Sequence, residues 1–283
     1  MTAESRPPPL RDIIARYGLK TRASLGQHFL LDYNLTSRIV RAAGPLAGVT
    51  VIEVGPGPGG LTRALLESDA AQIVAIERDR RCIPALEELA GEFPGRLKVV
   101  EGDALALEPG EIGQHPRKIV ANLPYNISTK LLTNWLARLD ALDGMTLMFQ
   151  KEVARRLAAV SGSKDYGRLS VLGQWLCEID LLFDISPRAF TPPPKVASTL
   201  VAFTPRPAPA FPASREALER ITGAAFGQRR KMLRTSLKPV FADPAAAARA
   251  AGIDVTARAE DISVEGFCAL ARDLAKRSGP SRG

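Results

Sequence analysis

The feature that most constrains this chain is an alternation. Between Val49 and Gln150, five short β-rich runs are separated by stretches of helical periodicity. The runs are TVIEV (Thr50 to Val54), QIVAIE (Gln72 to Glu77), LKVVEGD (Leu97 to Asp103), RKIVANL (Arg117 to Leu123) and GMTLMFQ (Gly144 to Gln150). Continuous apolar runs suit strands buried on both faces, and strand–helix alternation builds a parallel sheet covered by helices. The expected fold class is therefore α/β with a doubly wound sheet. GLTRALLE, RRCIPALEELAGEF and TKLLTNWLARL supply the expected helices. Pro84 is tolerable in a first turn, and Ser128 is the expected cap of the third helix.

After Gln150 the pattern changes. KEVARRLAAV and YGRLSVLGQWL read as helices around the loop GSKDYG, and EIDLLFDIS and VASTLVAFTP read as two more strands around the rigid FTPPPKV. TPRPAPAFPAS (Thr204 to Ser214) is rich in proline and alanine and marks the expected boundary. Beyond it the pattern is helical to the end, giving a small all-α domain. The expected division is a loose N-terminal tail over 1–18, the α/β domain over 19–206 and the helical domain over 207–283.

A hydrophobic fraction of 46% in 283 residues supports a packed core, and a net charge of +8 favours a polyanionic partner. The three cysteines, Cys82, Cys177 and Cys268, are scattered, and the two histidines, His28 and His115, are isolated. Neither a disulfide framework nor a metal site is expected. With no apolar run of membrane-spanning length and no apolar leader, the expectation is a cytoplasmic chain with no membrane role.

VIEVGPGPGG follows the first strand with Gly55, Gly57, Gly59 and Gly60. Such a loop brings backbone close to a ligand, and suits a nicotinamide, a flavin or S-adenosylmethionine; taken alone it also suits a tight turn. Three acids separate these readings. Glu53 precedes the loop, where a pyrophosphate would be repelled and a cationic sulfonium or ammonium tolerated. Glu77 ends the second strand, where a carboxylate can take ribose hydroxyls. Asp103 ends the third, where it can accept from an adenine amino group. In strand order, together with Gly55 and Gly57, they point to a methyl-donor site.

Asn122, Leu123, Pro124 and Tyr125 follow the fourth strand in ANLPYNIST, on the same sheet edge. The exocyclic amine of adenine is a poor nucleophile because its lone pair is delocalised into the ring. If the Asn122 side-chain oxygen and a backbone carbonyl near Leu123 or Pro124 accept its two N–H bonds, the nitrogen moves toward tetrahedral geometry and its lone pair is freed. That is positioning with electrostatic stabilisation, and it requires no general base. Tyr125 can stack on the base and favour the developing cation. Phe190, before the proline run, is the expected second aromatic wall for a base taken out of its stack.

LGQHFLLD, VIEVGPGPGGLT, EGDAL, ANLPYNIST, FQKEVARRL, YGRLSVL, FTPPPKV and FGQRRKMLR occur in order from about Leu19 to Leu270. Together they resemble the rRNA adenine dimethylase family. FGQRRK and the helical tail favour its small-subunit (16S) branch over the erythromycin-resistance branch. The resemblance implies a Rossmann-like S-adenosylmethionine-dependent methyltransferase domain with a small helical C-terminal domain. It implies transfer of four methyl groups, two to N6 of each of two adjacent adenosines near the 3′ end of small-subunit rRNA. The implied partner is an immature 30S subunit, the cofactor is S-adenosylmethionine without metal, and the enzyme is expected to be a monomer. Carried over by motif, donor contacts fall on His28, Leu30, Gly55, Glu77, Asp103 and Asn122. His28 departs from the asparagine common in the family.

The basic segments offer Arg155, Arg156, Arg229, Arg230, Lys231 and Arg234 as phosphate contacts, although a charge run is otherwise a solvated face. The competing readings are a DNA adenine N6-methyltransferase, which would use the same chemistry, and a non-enzymatic RNA-binding assembly or transcription factor on a methyltransferase scaffold. Leu123, where the DNA-enzyme motif repeats proline, counts against the first. The intact loop and NLPY motif count against the second. A nicotinamide oxidoreductase is more distant, since nothing resembles a hydride-transfer site.

Overall fold

The computed structural model describes residues 8–22 and 25–278. Two compact units divide the chain: residues up to Ala154 with Asp180–Pro205, and Arg155–Ile179 with the residues from Arg206 onward.

The first unit begins with α1 (Leu10–Arg16), β1 (Phe29–Leu30) and α2 (Tyr33–Ala42). The alternating region follows as β2 (Thr50–Val54), α3 (Gly60–Leu66), β3 (Gln72–Glu77), α4 (Ile83–Glu92), β4 (Leu97–Glu101), β5 (Arg117–Ala121), α5 (Ser128–Leu136) and β6 (Gly144–Gln150). Next come α6 (Lys151–Ala158), α7 (Arg168–Leu176), β7 (Cys177–Ile185), β8 (Phe190–Thr191) and β9 (Ser198–Pro205). The C-terminal helices are α8 (Arg215–Gly227), α9 (Leu233–Ser236), α10 (Pro244–Ala250) and α11 (Val264–Ser278).

Seven strands form one sheet in the order β4-β3-β2-β5-β6-β9-β7, while β1 and β8 form a separate antiparallel pair. The first five strands of the large sheet are parallel, and β9 runs antiparallel to β6. The chain winds outward from β2 through β3 and β4, then returns to place β5 on the other side of β2. That reversal is a topological switch point, the crevice where open α/β sheets bind ligands. The register Ile52↔Ile119 carries Gly55 and Asn122, each three residues further on, to the same edge of adjacent strands.

All of β2 is buried, and its Val51 packs with Ile73 and Ala75 of β3, Val120 of β5 and Met148 of β6 in a core shared with Leu65 and Leu89. Each fully buried aliphatic side chain contributes on the order of 2 kcal/mol. α2 is capped by Asp32, whose carboxylate accepts from Asn34 and Leu35.

The expected tail needs correction. Residues 1–7 lie outside the described residues, but Leu10–Arg16 is helical. Ile13 is buried and packs with Leu19, Cys82 and Ala85, so an apolar residue in a short polar stretch ties the segment down. The expected Ser128 cap is also corrected. Ile127 occupies the cap position, and the Ser128 hydroxyl donates instead to the Tyr125 carbonyl at 3.2 Å.

In the second unit, Val171, Leu172 and Trp175 of α7 are buried with Leu218, Ile221, Phe267 and Leu270. The Trp175 indole N–H donates to the Phe211 carbonyl at 2.7 Å. This apolar stripe places residues 155–179 with the C-terminal helices, whereas the sequence boundary at 206/207 assigned them to the first unit. Ser214 caps α8 and Asp243 caps α10 through side-chain acceptors.

Candidate active site

A cavity of about 110 Å³ opens at the switch point. Its lining includes Gly55, Gly57, Glu77, Asp103, His28 and the run Asn122–Tyr125.

The glycine loop turns sharply after β2. Gly55 and Gly57 have φ of 69° and 56°, in the left-handed region that suits glycine. The Glu77 carboxylate holds this loop: one oxygen accepts from the Gly57 N–H at 2.9 Å and the other from the Asp79 N–H at 2.7 Å. Burial raises the Glu77 pKa, and these hydrogen bonds partly offset the rise. Asp103 lies just past β4, accepts from the Leu105 N–H at 3.0 Å and faces Arg78 at 3.3 Å. Arg78 is the one arginine or lysine among the described lining residues, and this acid partners it. An acidic wall with its lone cation paired suits a positively charged ligand better than a pyrophosphate.

Glu53 is placed differently. It is 2% exposed and borders a smaller space beneath the glycine loop, together with His28, Leu30 and Asn122. Burial pushes its carboxyl up to about 8. Leu30 does not border the main cavity; its side chain lies in the core. Its carbonyl approaches Gly60 so closely that a Cβ there would sit 2.2 Å from it, which is why only glycine fits at 60.

On the opposite wall, the Asn122 amide donates through Nδ2 to the His28 carbonyl at 3.0 Å. The nitrogen end is thereby committed, and Oδ1 is left as the acceptor. The Pro124 carbonyl accepts from the Ile127 N–H at 3.1 Å and closes a tight turn. Of the two carbonyls expected near the target amine, that leaves Leu123 the better candidate. The Tyr125 hydroxyl is hydrogen-bonded to Ser198 of β9, which fixes its ring.

Phe190 does not reach the cavity. It is 2% exposed, pairs with Leu30 across β1 and β8, and packs in the core. An apolar ring before a proline run reads equally well as a wall or a plug, and the β1–β8 pairing draws it inward.

Within LGQHFLLD, Gln27 had no role assigned from the sequence. Gln27 donates to Asp79 at 2.9 Å and so ties the segment carrying His28 to the end of β3. Burial would raise the Asp79 pKa, but bonds from Arg81 and Gln27 outweigh it and hold the carboxyl at about 2. Only the fold brings residues 27 and 79 together.

The basic candidates separate into two kinds. Arg229 is engaged inside the second unit: it pairs with Glu260 at 2.7 Å and donates to the Ser163 and Lys164 carbonyls. That corrects its expected role as a phosphate contact. Arg155, Arg156, Arg230, Lys231 and Arg234 are exposed. Gln228 to Lys231 form a turn after α8 rather than a helix. No helix among the described residues is long and apolar enough to cross a membrane.

Residues 18–276 match the family described as ribosomal RNA adenine dimethylase. The chain is 60% identical over 265 residues to a protein of Rhodospirillum rubrum named ribosomal RNA small subunit methyltransferase A, covering 94% of this chain and 92% of that one. It is 59% identical to the protein of the same name from Paramagnetospirillum magneticum, covering 96% of each. Among solved structures, a dimethyladenosine transferase from Plasmodium falciparum has the same fold, with a TM-score of 0.73, 22% identity and coverage of 88% of this chain and 98% of that one. The 23S rRNA methyltransferase ErmE is similar at a TM-score of 0.65 and 28% identity, covering 87% and 99%.

Proposed function

The chain belongs to the ribosomal RNA adenine dimethylase family, and from that membership we infer its reaction. It is an S-adenosylmethionine-dependent methyltransferase that dimethylates N6 of adenosine in small-subunit rRNA. The observation that carries the reading is an adjacency: at one switch point the Gly55–Gly57 loop, Glu77 and Asp103 form one side of a cavity and Asn122–Tyr125 form the other.

S-adenosylmethionine supplies an electrophilic methyl group on a cationic sulfonium. Glu77 accepts from the ribose hydroxyls with the lone pairs left after it holds the loop. Asp103 accepts from the donor's adenine amino group. The main chain at His28, Leu30 and Gly55 shapes the other end of the site, with Gly57 keeping the loop close. Glu53 sits behind the loop and adds negative charge once ionised.

Asn122 Oδ1 and the Leu123 carbonyl accept the two N6–H bonds of the target adenine. Pro124 fixes the turn that aims them. Their dipoles stabilise positive charge developing on N6, and the anchored Tyr125 ring lies against the base. The proton leaves to water after transfer. Phe190 supports this wall from the core.

The finer reading is that the targets are two adjacent adenosines near the 3′ end, presented by an immature subunit to a monomeric, cytoplasmic enzyme. Arg155, Arg156, Arg230, Lys231 and Arg234 contact phosphates. The sequence similarity to small-subunit methyltransferases and the net charge of +8 support this. The test is to incubate the enzyme and labelled donor with undermethylated small subunits, naked rRNA or duplex DNA, then digest and separate the nucleosides. Labelled N6,N6-dimethyladenosine is expected in the subunit sample. Label confined to DNA would contradict the assignment.

A further inference from the structure

We propose that Gln27 is a positioning residue for methyl transfer: through its hydrogen bond to Asp79 it holds the His28 main-chain carbonyl that commits the Asn122 amide. The proposal rests on the reaction inferred above and adds a residue that acts on it through another.

The Gln27 side chain has one orientation. Its Nε2 donates to Asp79 Oδ2 at 2.9 Å, and its Oε1 accepts from the Arg22 N–H at 2.9 Å. A carboxylate only accepts and a main-chain N–H only donates, so the amide fits one way round.

Asp79 is a firm anchor for it. The residue is 5% exposed, and Arg81 grips both of its oxygens, Nε to Oδ1 at 2.9 Å and Nη2 to Oδ2 at 2.5 Å. The Asp79 N–H donates to Glu77 at 2.7 Å, and the other oxygen of Glu77 holds the Gly57 N–H. Asp79 is thereby tied to the glycine loop on the donor side of the cavity.

The residue after Gln27 faces the other side. The His28 carbonyl takes Asn122 Nδ2 at 3.0 Å. Phe29 pairs with Thr191, which fixes the chain beyond His28, and the Gln27 side chain fixes it before His28. At Gly26 a Cβ would lie 2.9 Å from Asn126 Oδ1, so the chain has little room to shift there. A path of three hydrogen bonds and one peptide link thus runs from Glu77 through Asp79, Gln27 and His28 to Asn122. Misplacement of a reacting geometry by about 1 Å costs on the order of 10²-fold in rate, so the anchor of this carbonyl matters to catalysis.

The experiment compares wild type, Gln27→Ala and Gln27→Glu in single-turnover methylation, with donor and undermethylated small subunits both saturating, from pH 6 to pH 8.5. Donor affinity is measured by calorimetry. Gln27→Ala should lower the saturated rate roughly 10- to 100-fold, the worth of one charge-assisted hydrogen bond. Gln27→Glu sets a carboxylate against Asp79, and like charge raises the pKa of the new acid. Deprotonated, it repels Asp79; protonated, it donates to Asp79 as the amide does. Its rate relative to wild type should therefore be lowest at pH 8.5 and recover about tenfold or more toward pH 6. The charged and titratable groups around the pair are Arg81, Glu77 and Cys82 near Asp79, and Arg78, Asp103 and His28 in the cavity lining. Wild type and variant share them all, so the ratio of rates isolates residue 27. The recovery is read within one sample across pH, so it does not depend on the stability of Gln27→Ala. A Gln27→Glu ratio that stays flat with pH would overturn the proposal. So would a loss in Gln27→Ala confined to donor affinity, with the saturated rate unchanged. A wild-type enzyme inactive on rRNA would instead sink the inferred reaction.

Discussion

The Asn122 side-chain amide donates to the His28 main-chain carbonyl across 3.0 Å, and this bond commits the nitrogen end of the amide and leaves Oδ1 as its acceptor end. Asn122→Asp keeps an acceptor but has no N–H for that carbonyl, so two oxygens would oppose each other. Single-turnover methylation by Asn122→Asp should fall about tenfold, the cost of one lost neutral hydrogen bond, and stay above that of Asn122→Ala. A wild-type rate in Asn122→Asp would show that the bond does not orient the side chain.

Glu77 holds the Gly57 and Asp79 N–H groups and lines the cavity. Glu77→Ala should weaken S-adenosylmethionine binding about 10- to 100-fold, the worth of charge-assisted hydrogen bonds of roughly 1.5–3 kcal/mol. The loss should appear in the calorimetric Kd more than in kcat, since the ribose is remote from the methyl. Unchanged donor affinity would reject the assignment.

The buried Glu53 makes stability depend on pH. Its folded pKa of about 8 lies above the ordinary 4.5, so the folded chain keeps a proton that the unfolded chain releases. Stability from this group is full below pH 4.5 and is lost as pH rises through 8. Glu77, the neighbouring acid, adds to the rise, and the Thr62 hydroxyl opposes it. Glu53→Gln removes the dependence. The denaturation free energy of Glu53→Gln relative to wild type should increase between those limits by up to roughly 4 kcal/mol. A difference that stays flat with pH would mean that Glu53 is already ionised.

The basic cluster should split in two. Arg229→Ala should lower the melting temperature of the second unit, because it breaks the Glu260 pair and two carbonyl contacts. Replacing Arg230, Lys231 and Arg234 together with Gln should leave melting unchanged and weaken subunit binding. Each lost phosphate contact should flatten the slope of log affinity against log salt by a little under about one unit, taking the B-DNA value. Superimposable salt plots would mean that these residues do not touch RNA.

What was legible in the sequence followed from local physics. Val51, Ile52 and Ile73 sit in continuous apolar runs because their strands are buried on both faces, so strand positions and the parallel sheet could be read directly. Gly55, Glu77, Asp103 and Asn122 could be placed on one edge because a parallel sheet brings all its strand ends there. The remainder depended on long-range partners. Arg229 looks like its neighbour Arg230 until Glu260 is brought against it. Phe190 becomes a plug only through pairing with Leu30. The stripe of Val171, Leu172 and Trp175 is visible locally, but not which unit buries it. Ile13 reads as part of a tail until Cys82 and Ala85 cover it.

Single-turnover methylation by Asn122→Ala measures whether Asn122 accelerates methyl transfer by accepting from the target amine. With donor and undermethylated subunits both saturating, the rate should drop on the order of 10²-fold or more, because the lost interaction is made mainly in the transition state. Calorimetric donor affinity should remain close to that of the wild type. A near-normal single-turnover rate in Asn122→Ala would contradict the account.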